Sequence, residues 1–282
     1  MVSDFFQSIR IKYADWPYIL CLFLPVAVLS LLTVLLADPL TGLTVLVLLA
    51  FFTLLIYQTH LYRSIRRDLR DQQQKTQAYA MLLKLLDFEK PLPYMSDWAS
   101  TPELSLAITD IITERKPRFI VELGGGISTL ISAMNLVKTG QGRVLALDHD
   151  QSYARSSQQL LKKHNLDSVA AIRYAPLTSV HTDRGSWSWY DLADVPFGDT
   201  PIDLLIVDGP PVKTQKCARY PALPQLFGRL ADDAVIILHD THRISESTFI
   251  NWWEEEFPGL TVEKSDTEKG LAVISVNRRT SS

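Results

Sequence analysis

The stretch Val121–Leu130 reads VELGGGISTL, and the interpretation of the whole chain depends on it. Its three glycines, Gly124–Gly126, follow an apolar run that begins at Phe119. The pattern predicts a strand that ends in a tight glycine turn and leads into a helix. Such a turn presents bare backbone N–H groups and a helix N-terminus to a ligand. A tight turn without a ligand is the alternative, and the residues further along the chain weigh against it.

Apolar runs alternate with helical patterns on both sides of this turn. The predicted strands are 118–124, 143–150, 169–177, 202–211 and 233–241, and the predicted helices are 100–114, 128–137, 153–164, 220–230 and 245–257. Continuous apolar strands that alternate with helices indicate a parallel sheet covered on both faces. The tail leaves only TEK between two strand-like segments, too little for a crossover helix, so these must pair as an antiparallel hairpin. We therefore predict an α/β doubly wound sheet of five parallel strands plus a C-terminal antiparallel hairpin.

The first of these helices has a recognisable start at STPE. Ser100 is the predicted N-cap, Pro102 falls in the first turn, and Glu103 follows three residues after the cap as the capping-box partner.

Two acidic residues restrict which class of ligand the glycine turn can bind. Glu122 stands where strands of dinucleotide-binding folds carry an apolar residue, and Thr129 replaces the third glycine of the G-x-G-x-x-G pattern. A carboxylate there would repel a pyrophosphate and attract an ammonium group. Asp148 ends the second strand 24 residues after Gly124, where it can accept ribose hydroxyls. S-adenosylmethionine has a ribose, an ammonium group and no phosphate, so it is the ligand that fits best. A nicotinamide cofactor, and with it an oxidoreductase function, is the disfavoured alternative.

On these residues, the segment from about Trp98 to Asn277 resembles the class I S-adenosylmethionine-dependent methyltransferases, and within them the branch called methyltransferase domain 24. The resemblance is carried by VELGGGIST, LALDHD, YAPL, WYDL, IDLLIVDGPP, RYPALPQL and AVIILHDTHR, in this order. It implies a Rossmann-like fold and S-adenosyl-L-methionine as cofactor. The cofactor-binding residues that it implies are Glu122, Gly124, Gly125, Gly126, Ser128, Thr129, Asp148 and His149, although a solvated strand-end role is open for His149.

Reactive groups are expected where the fourth and fifth strands end. The candidates are Asp208, His239, Asp240 and Arg243. A hydroxyl acceptor needs a base, or a metal that lowers its pKa. Asp208 and Asp240 would be the ligands of a divalent metal, but His239 stands where similar proteins often carry another acid, and magnesium prefers oxygen ligands. His239 as general base, with Asp240 orienting it or binding substrate, is the second interpretation, and hydrogen-bonded structural roles are a third.

Two further features leave alternatives open. Arg243 would bind an anionic group of the substrate or pair with Asp208 or Asp240. The segment from Thr178 to Thr200 is predicted as an insertion with the aromatic residues Trp187, Trp189 and Tyr190. These aromatics would stack on a substrate ring or, as we favour, pack the insertion against the sheet.

The N-terminal region differs sharply in composition. The stretches 16–37 and 40–57 contain no charged residue, and each is long enough to span a membrane. The turn that joins them contains one acid, Asp38, and no basic residue. Basic residues flank only the outer ends, so the positive-inside rule predicts a hairpin with both termini, and the catalytic domain, in the cytoplasm. A cleaved signal peptide is the weaker alternative, because a second span follows at once. We divide the chain into a membrane hairpin (1–58), a juxtamembrane helix and linker (59–97) and a methyltransferase domain (98–282).

Composition limits the possible partners. The formal net charge is -3 and the pI is about 6.1, which gives no support to nucleic-acid binding. We expect a small-molecule or membrane-associated substrate and contact with the lipid bilayer, and nothing in the sequence fixes an oligomeric state. The function we predict is methylation, on oxygen, of a small molecule, a sugar or a lipid-linked acceptor. The alternative is a catalytically idle cofactor-binding domain that serves as a membrane assembly partner.

Overall fold

The computed structural model describes residues 39–86, 88, 90–91 and 100–278, with a few positions between 24 and 32. It contains two compact units, Met1–Arg70 and Asp71–Ser282. The helices are α1 (Pro39–Leu85), α2 (Pro102–Arg115), α3 (Ile127–Thr139), α4 (Gln151–Lys163), α5 (Ala222–Leu226) and α6 (Ile244–Glu256). The strands are β1 (Phe119–Leu123), β2 (Arg143–Asp148), β3 (Ala170–Tyr174), β4 (Leu177–Thr182), β5 (Gly185–Tyr190), β6 (Ile202–Val207), β7 (Leu230–His239), β8 (Leu260–Ser265) and β9 (Leu271–Val276).

The main sheet has seven strands in the order β3-β2-β1-β6-β7-β9-β8. The first five are parallel, whereas β9 runs antiparallel to β7 and pairs with β8 at the edge. The predicted doubly wound sheet with a C-terminal antiparallel hairpin is therefore confirmed. The strand order reverses between β1 and β6, and a crevice opens at the carboxyl ends of the strands at such a point.

Apolar side chains cover both faces of this sheet. Along β1, Ile120 faces a cluster with α2 and α3, whereas Phe119 and Val121 face a second cluster that includes Trp189 and Trp253. Every residue of β1 is buried, including Glu122. Because a central parallel strand is buried on both faces, a carboxyl group there must either be paired with a donor or a cation or be protonated and neutral.

The start of α2 corrects one prediction. The N-cap is Thr101, whose Oγ1 accepts from the Leu104 N–H at 3.3 Å, and not Ser100. The physical reason is Pro102: a proline is favoured at the first helical position, because its missing N–H is not needed there, and this makes the preceding residue the cap. With the cap moved by one residue, Glu103 no longer occupies the capping-box position.

The insertion before β6 has more structure than the sequence indicated. Strands β4 and β5 form a separate antiparallel two-stranded sheet. Trp187 and Trp189 are buried in the core cluster on one face of the main sheet. The interpretation that these two aromatics pack the insertion against the sheet is confirmed.

The helix α1 joins two segments that were predicted to be distinct. It continues for 47 residues, from the apolar stretch 40–57 into the polar segment predicted as a juxtamembrane helix. Within the described part of the chain it is the one helix that is long and apolar enough to cross a membrane. The predicted first span, 16–37, lies outside the described residues except for six scattered positions, so one candidate span is observed rather than two.

Candidate functional site

A cleft of about 440 Å³ opens where β1, β2, β6 and β7 end. This volume lies in the usual range for small-molecule sites. The lining residues are Gly124, Gly125, Asp148, His149, Asp150, Tyr153, Tyr190, Asp208, Gly209, Pro211, Val212, Lys213, Arg219, His239, Asp240, Arg243 and Lys269. The cleft thus combines the glycine turn with the acids and the histidine predicted from the strand ends.

The glycine turn is built so that only glycine fits at its first position. Gly124 has φ of 92°, in the left-handed region, and a Cβ there would lie 3.1 Å from the backbone nitrogen of Gly209. The Gly126 N–H donates to Thr129 Oγ1 at 3.0 Å, which closes the turn against the start of α3. Thr129 therefore shapes the turn from inside the protein and does not line the cleft.

Glu122 lies directly below this turn, with no exposed surface. Ser128 donates a hydrogen bond to its Oε1, whereas its Oε2 has no hydrogen-bond partner within the described part of the chain. Burial raises the pKa of Glu122 to about 8, against the smaller lowering effects of the Ser128 and Thr129 hydroxyls. A buried carboxyl oxygen without a partner is costly, so the arrangement suits a ligand that brings a donor or a positive charge.

Asp148 and His149 form the second wall of the cleft, at the end of β2. Asp148 is buried, and its Oδ1 accepts from the Asp150 N–H at 2.8 Å. Burial raises the pKa of Asp148, although the backbone N–H of Asp150 opposes this. His149 is partly exposed, with its Nδ1 3.5 Å from Asp148 Oδ1. Both residues line the cleft.

Asp208 and His239 meet on the opposite wall, at the ends of β6 and β7. His239 Nδ1 lies 3.0 Å from Asp208 Oδ1, and its Nε2 lies 3.5 Å from Thr101 Oγ1. Burial raises the pKa of Asp208, but the adjacent His239 and Arg219 outweigh it and leave the pKa below its ordinary value. Our sequence-based interpretation had Asp240 orienting His239; in the structure it is Asp208 that contacts the imidazole.

Asp240 is held by two arginines. Its Oδ2 lies 2.9 Å from Arg219 Nη2 and 2.9 Å from Arg243 Nη1. Arg243 is partly exposed at the cleft, so one of its two predicted roles, pairing with Asp240, is observed. Arg219 was missed as a site residue although it opens the motif RYPALPQL, because its spacing from Asp208 and Asp240 in the sequence does not show that it contacts them.

The three residues Asp208, His239 and Asp240 also meet the minimum for a metal site, since one ligand atom from each lies within 4.8 Å of the others. Their donor set does not fit a divalent metal as it stands. Arg219 Nη2 contacts both carboxylates, at 3.3 Å from Asp208 Oδ1 and 2.9 Å from Asp240 Oδ2. An ion bound to both oxygens would have to share this space with a guanidinium, which is also positively charged and would repel it.

Tyr190 was considered only as an insertion aromatic, yet it lines the cleft. Its hydroxyl is buried and has no hydrogen-bond partner among the described residues. A Cβ at Gly209 would lie 2.3 Å from Tyr190 Oη, so the hydroxyl packs against Gly209, directly after the end of β6. The Tyr190 hydroxyl, a hydrogen-bond donor, therefore lies beside the glycine turn.

The predicted site residues separate into two groups. Those that line the cleft are Gly124, Gly125, Asp148, His149, Asp208, His239, Asp240 and Arg243. Those that lie below or behind its surface are Glu122, Gly126, Ser128 and Thr129.

Comparison with known proteins finds methyltransferases with a similar fold. Residues 121–241 match a protein family described as a methyltransferase domain. Among solved structures, an O-methyltransferase from Bacillus cereus in complex with SAH superposes with a TM-score of 0.50 at 16% identity, over 65% of this chain and 84% of that chain. A putative O-methyltransferase from Klebsiella pneumoniae superposes with a TM-score of 0.52 at 18% identity, over 73% and 99% of the two chains.

A third solved structure has a similar fold. The SAH-bound methyltransferase from Podospora anserina superposes with a TM-score of 0.52 at 13% identity, over 76% of this chain and 94% of that chain. At these identities the superpositions show the fold. The family match covers residues 121–241, and over these residues the chain is similar to a methyltransferase domain.

Proposed function

We propose that the cleft binds S-adenosylmethionine, with the methionine end over the glycine turn and the ribose at Asp148. The observation that carries this proposal is Glu122, a fully buried carboxyl below the turn whose Oε2 has no partner among the described residues. An ammonium group at the turn would give that oxygen a charged partner and favour its ionised form. Asp148, buried at the cleft wall, offers the carboxylate that a ribose diol needs.

When bound, the cofactor supplies a methyl group on a sulfonium sulfur, which keeps the electron pair of the C–S bond when an acceptor oxygen displaces it. The protein must align the acceptor and take its proton. Because Asp208 contacts Nδ1 of His239, it favours the tautomer with the proton on Nδ1. Nε2 then has a lone pair, and its contact with Thr101 is at the long limit of a hydrogen bond.

His239 is thus our candidate general base. The hydroxyl proton of the acceptor passes to Nε2 as the new O–CH₃ bond forms, and Asp208 stabilises the imidazolium that results. Asp208 can do so because its lowered pKa keeps it ionised at neutral pH. Asp240 and Arg243 complete the acceptor end of the cleft beside His239.

We further propose that the chain is anchored in a membrane and methylates a small-molecule, sugar or lipid-linked acceptor there. In the first half of α1, Leu40, Leu43 and Phe52 are among many large apolar side chains that are exposed. Such a surface is stable in lipid and costly in water. With the apolar stretch 16–37, it supports a hairpin in which residues 1–58 form the membrane region and 98–282 the catalytic domain.

The basic residues after the apolar part of α1 support a cytoplasmic orientation. Arg63, Arg66, Arg67 and Arg70 are exposed on this helix. The positive-inside rule places such a cluster, and the domain that follows it, on the cytoplasmic side.

The function is tested with the full-length chain in native membranes and S-adenosyl-[methyl-³H]methionine. We expect tritium to appear in a lipid or small-molecule fraction, and to be absent with the His239→Gln variant. Cofactor binding without transfer to any fraction would contradict the enzymatic proposal and favour the idle assembly partner. Transfer that is equal in both proteins would contradict the role of His239.

A further inference from the structure

A buried guanidinium lies between the ends of β6 and β7. Arg219 is only 4% exposed, although its side chain carries a full positive charge. Its Nη2 contacts the Asp208 carbonyl oxygen at 2.7 Å, Asp208 Oδ1 at 3.3 Å and Asp240 Oδ2 at 2.9 Å. Its Nη1 donates to the His239 carbonyl oxygen at 2.9 Å. One side chain therefore contacts Asp208, His239 and Asp240 together.

Burial of such a charge must be compensated. Removing a cation from water costs several kcal/mol, and only well-placed opposite charges and hydrogen bonds recover this cost. Arg219 obtains two carboxylates and two carbonyl oxygens. Asp240 is itself held in the left-handed region, with φ of 65°, which is uncommon for a residue other than glycine. The contacts are thus specific to this geometry and differ from a flexible surface ion pair.

The contacts of Arg219 are those that a divalent metal would make. A metal at this end of the cleft would bind Asp208 and Asp240, with ligand atoms from Asp208, His239 and Asp240 all within 4.8 Å of one another. Magnesium would sit about 2.1 Å from each oxygen. Nη2 already lies between the same two carboxylates. The Arg219 guanidinium and a divalent metal would therefore compete for the same position between Asp208 and Asp240.

We propose that Arg219 takes the place of a divalent metal in this methyltransferase. As a positioning residue, it neutralises Asp208 and Asp240 and fixes the ends of β6 and β7 through His239. The inference rests on the proposed function, because it assigns to His239 alone the deprotonation that a metal would otherwise assist. The acceptor oxygen is then activated by a side chain, and the reaction needs no divalent ion.

Binding of Mn²⁺ to the full-length chain in detergent tests this directly, because paramagnetic resonance counts free Mn²⁺ and needs no acceptor. We expect no Mn²⁺ binding at this site in the wild type. We expect Arg219→Met, which leaves the two carboxylates without their cation, to gain at least about tenfold in Mn²⁺ affinity. The gain should disappear in the double variant Arg219→Met/Asp240→Asn.

Arg219→Lys is the matched control and also serves if the methionine variant does not fold. It keeps a positive charge at the same place and should continue to exclude Mn²⁺. Mn²⁺ binding by the wild type that Asp240→Asn removes would overturn the proposal. Equal affinity in the wild type and a folded Arg219→Met would also overturn it, because this region would then not be a cation site.

Titration of the same samples with S-adenosylmethionine separates the two proposals. A wild type that binds neither Mn²⁺ nor S-adenosylmethionine contradicts the proposed function and leaves the exclusion of metal by Arg219 standing. A wild type that binds both contradicts the assignment of Arg219 alone.

Discussion

Asp208 Oδ1 lies 3.0 Å from Nδ1 of His239, and the two residues come from the ends of adjacent parallel strands, β6 and β7. The pair faces the glycine turn across the cleft, where Gly124 approaches the backbone of Gly209. The proposed general base thus stands opposite the proposed cofactor site. Each element of this arrangement makes a separate prediction.

Substitution of His239 should separate chemistry from binding. In His239→Gln the transfer rate should fall by about 10² to 10⁴-fold, the usual contribution of a general base, while S-adenosylmethionine affinity stays within about twofold. The rate is measured as tritium transfer in membranes. His242→Gln is the control, since His242 is a half-exposed neighbour that pairs with Asp266 outside the cleft. Equal losses in both variants would mean that the effect is structural.

Substitution of Glu122 should weaken cofactor binding. In Glu122→Gln we expect a loss of about 1 to 3 kcal/mol in S-adenosylmethionine binding, because the ammonium group loses a charged partner. Glu103→Gln is the matched control, since both carboxyl oxygens of Glu103 are also buried without hydrogen-bond partners among the described residues, but on α2 outside the cleft. Unchanged calorimetric affinity in Glu122→Gln would remove Glu122 from the site.

The raised pKa of Glu122 predicts how stability depends on pH without cofactor. The folded protein keeps a proton on Glu122 up to about pH 8, whereas the unfolded chain releases it near 4.5. In that window the folded state binds more protons, so its stability should fall as pH rises. The difference in melting temperature between Glu122→Gln and wild type should therefore grow in favour of the variant from pH 5 to pH 8. A difference that is constant with pH would contradict the raised pKa.

Substitution of Asp148 should also weaken cofactor binding, at the ribose end. We expect Asp148→Asn to lose about 1 to 3 kcal/mol of S-adenosylmethionine affinity, because a buried diol would lose its charged acceptor. Asp150→Asn is the control: Asp150 caps α4 through the Ser152 and Tyr153 N–H groups, and asparagine caps equally well. If calorimetry shows that Asp150→Asn binds S-adenosylmethionine more weakly than Asp148→Asn does, the ribose is not bound at Asp148.

The proposed orientation predicts which side of the membrane each end of the apolar helix faces. Single cysteines at Asp38 and at Gln72, in a chain lacking Cys21 and Cys217, should react differently with a membrane-impermeant maleimide in intact cells. We expect labelling at position 38 from outside and labelling at position 72 only after lysis. Labelling at position 72 in intact cells would reverse the proposed topology.

The sheet was predictable because its information is local. Apolar strands that alternate with helices indicate the five parallel strands, and a tail too short for a crossover indicates the C-terminal hairpin, whereas the separate pair β4 and β5 was not predicted. The strand-end residues Asp148, Asp208 and His239 were predictable for the same reason, because parallel strands bring their carboxyl ends to one edge.

The features that were missed depend on contacts between distant segments. Arg219 lies in the turn before α5 and acquires its role only when the fold brings it to Asp208 and Asp240. Tyr190 ends β5, and its hydroxyl is placed at the cleft by the fold of the β4–β5 insertion. Asp208 rather than Asp240 contacts His239 because Asp240 turns into the left-handed region toward Arg219 and Arg243. Sequence spacing carries no information about that turn.

Calorimetric titration of the full-length chain in detergent, with S-adenosylmethionine and separately with NAD, tests the central claim most directly. We predict micromolar binding of S-adenosylmethionine, about 8 kcal/mol of binding free energy, and no binding of NAD. Binding of NAD in preference to S-adenosylmethionine, or of neither, would contradict the claim that the turn over Glu122 holds a methyl donor.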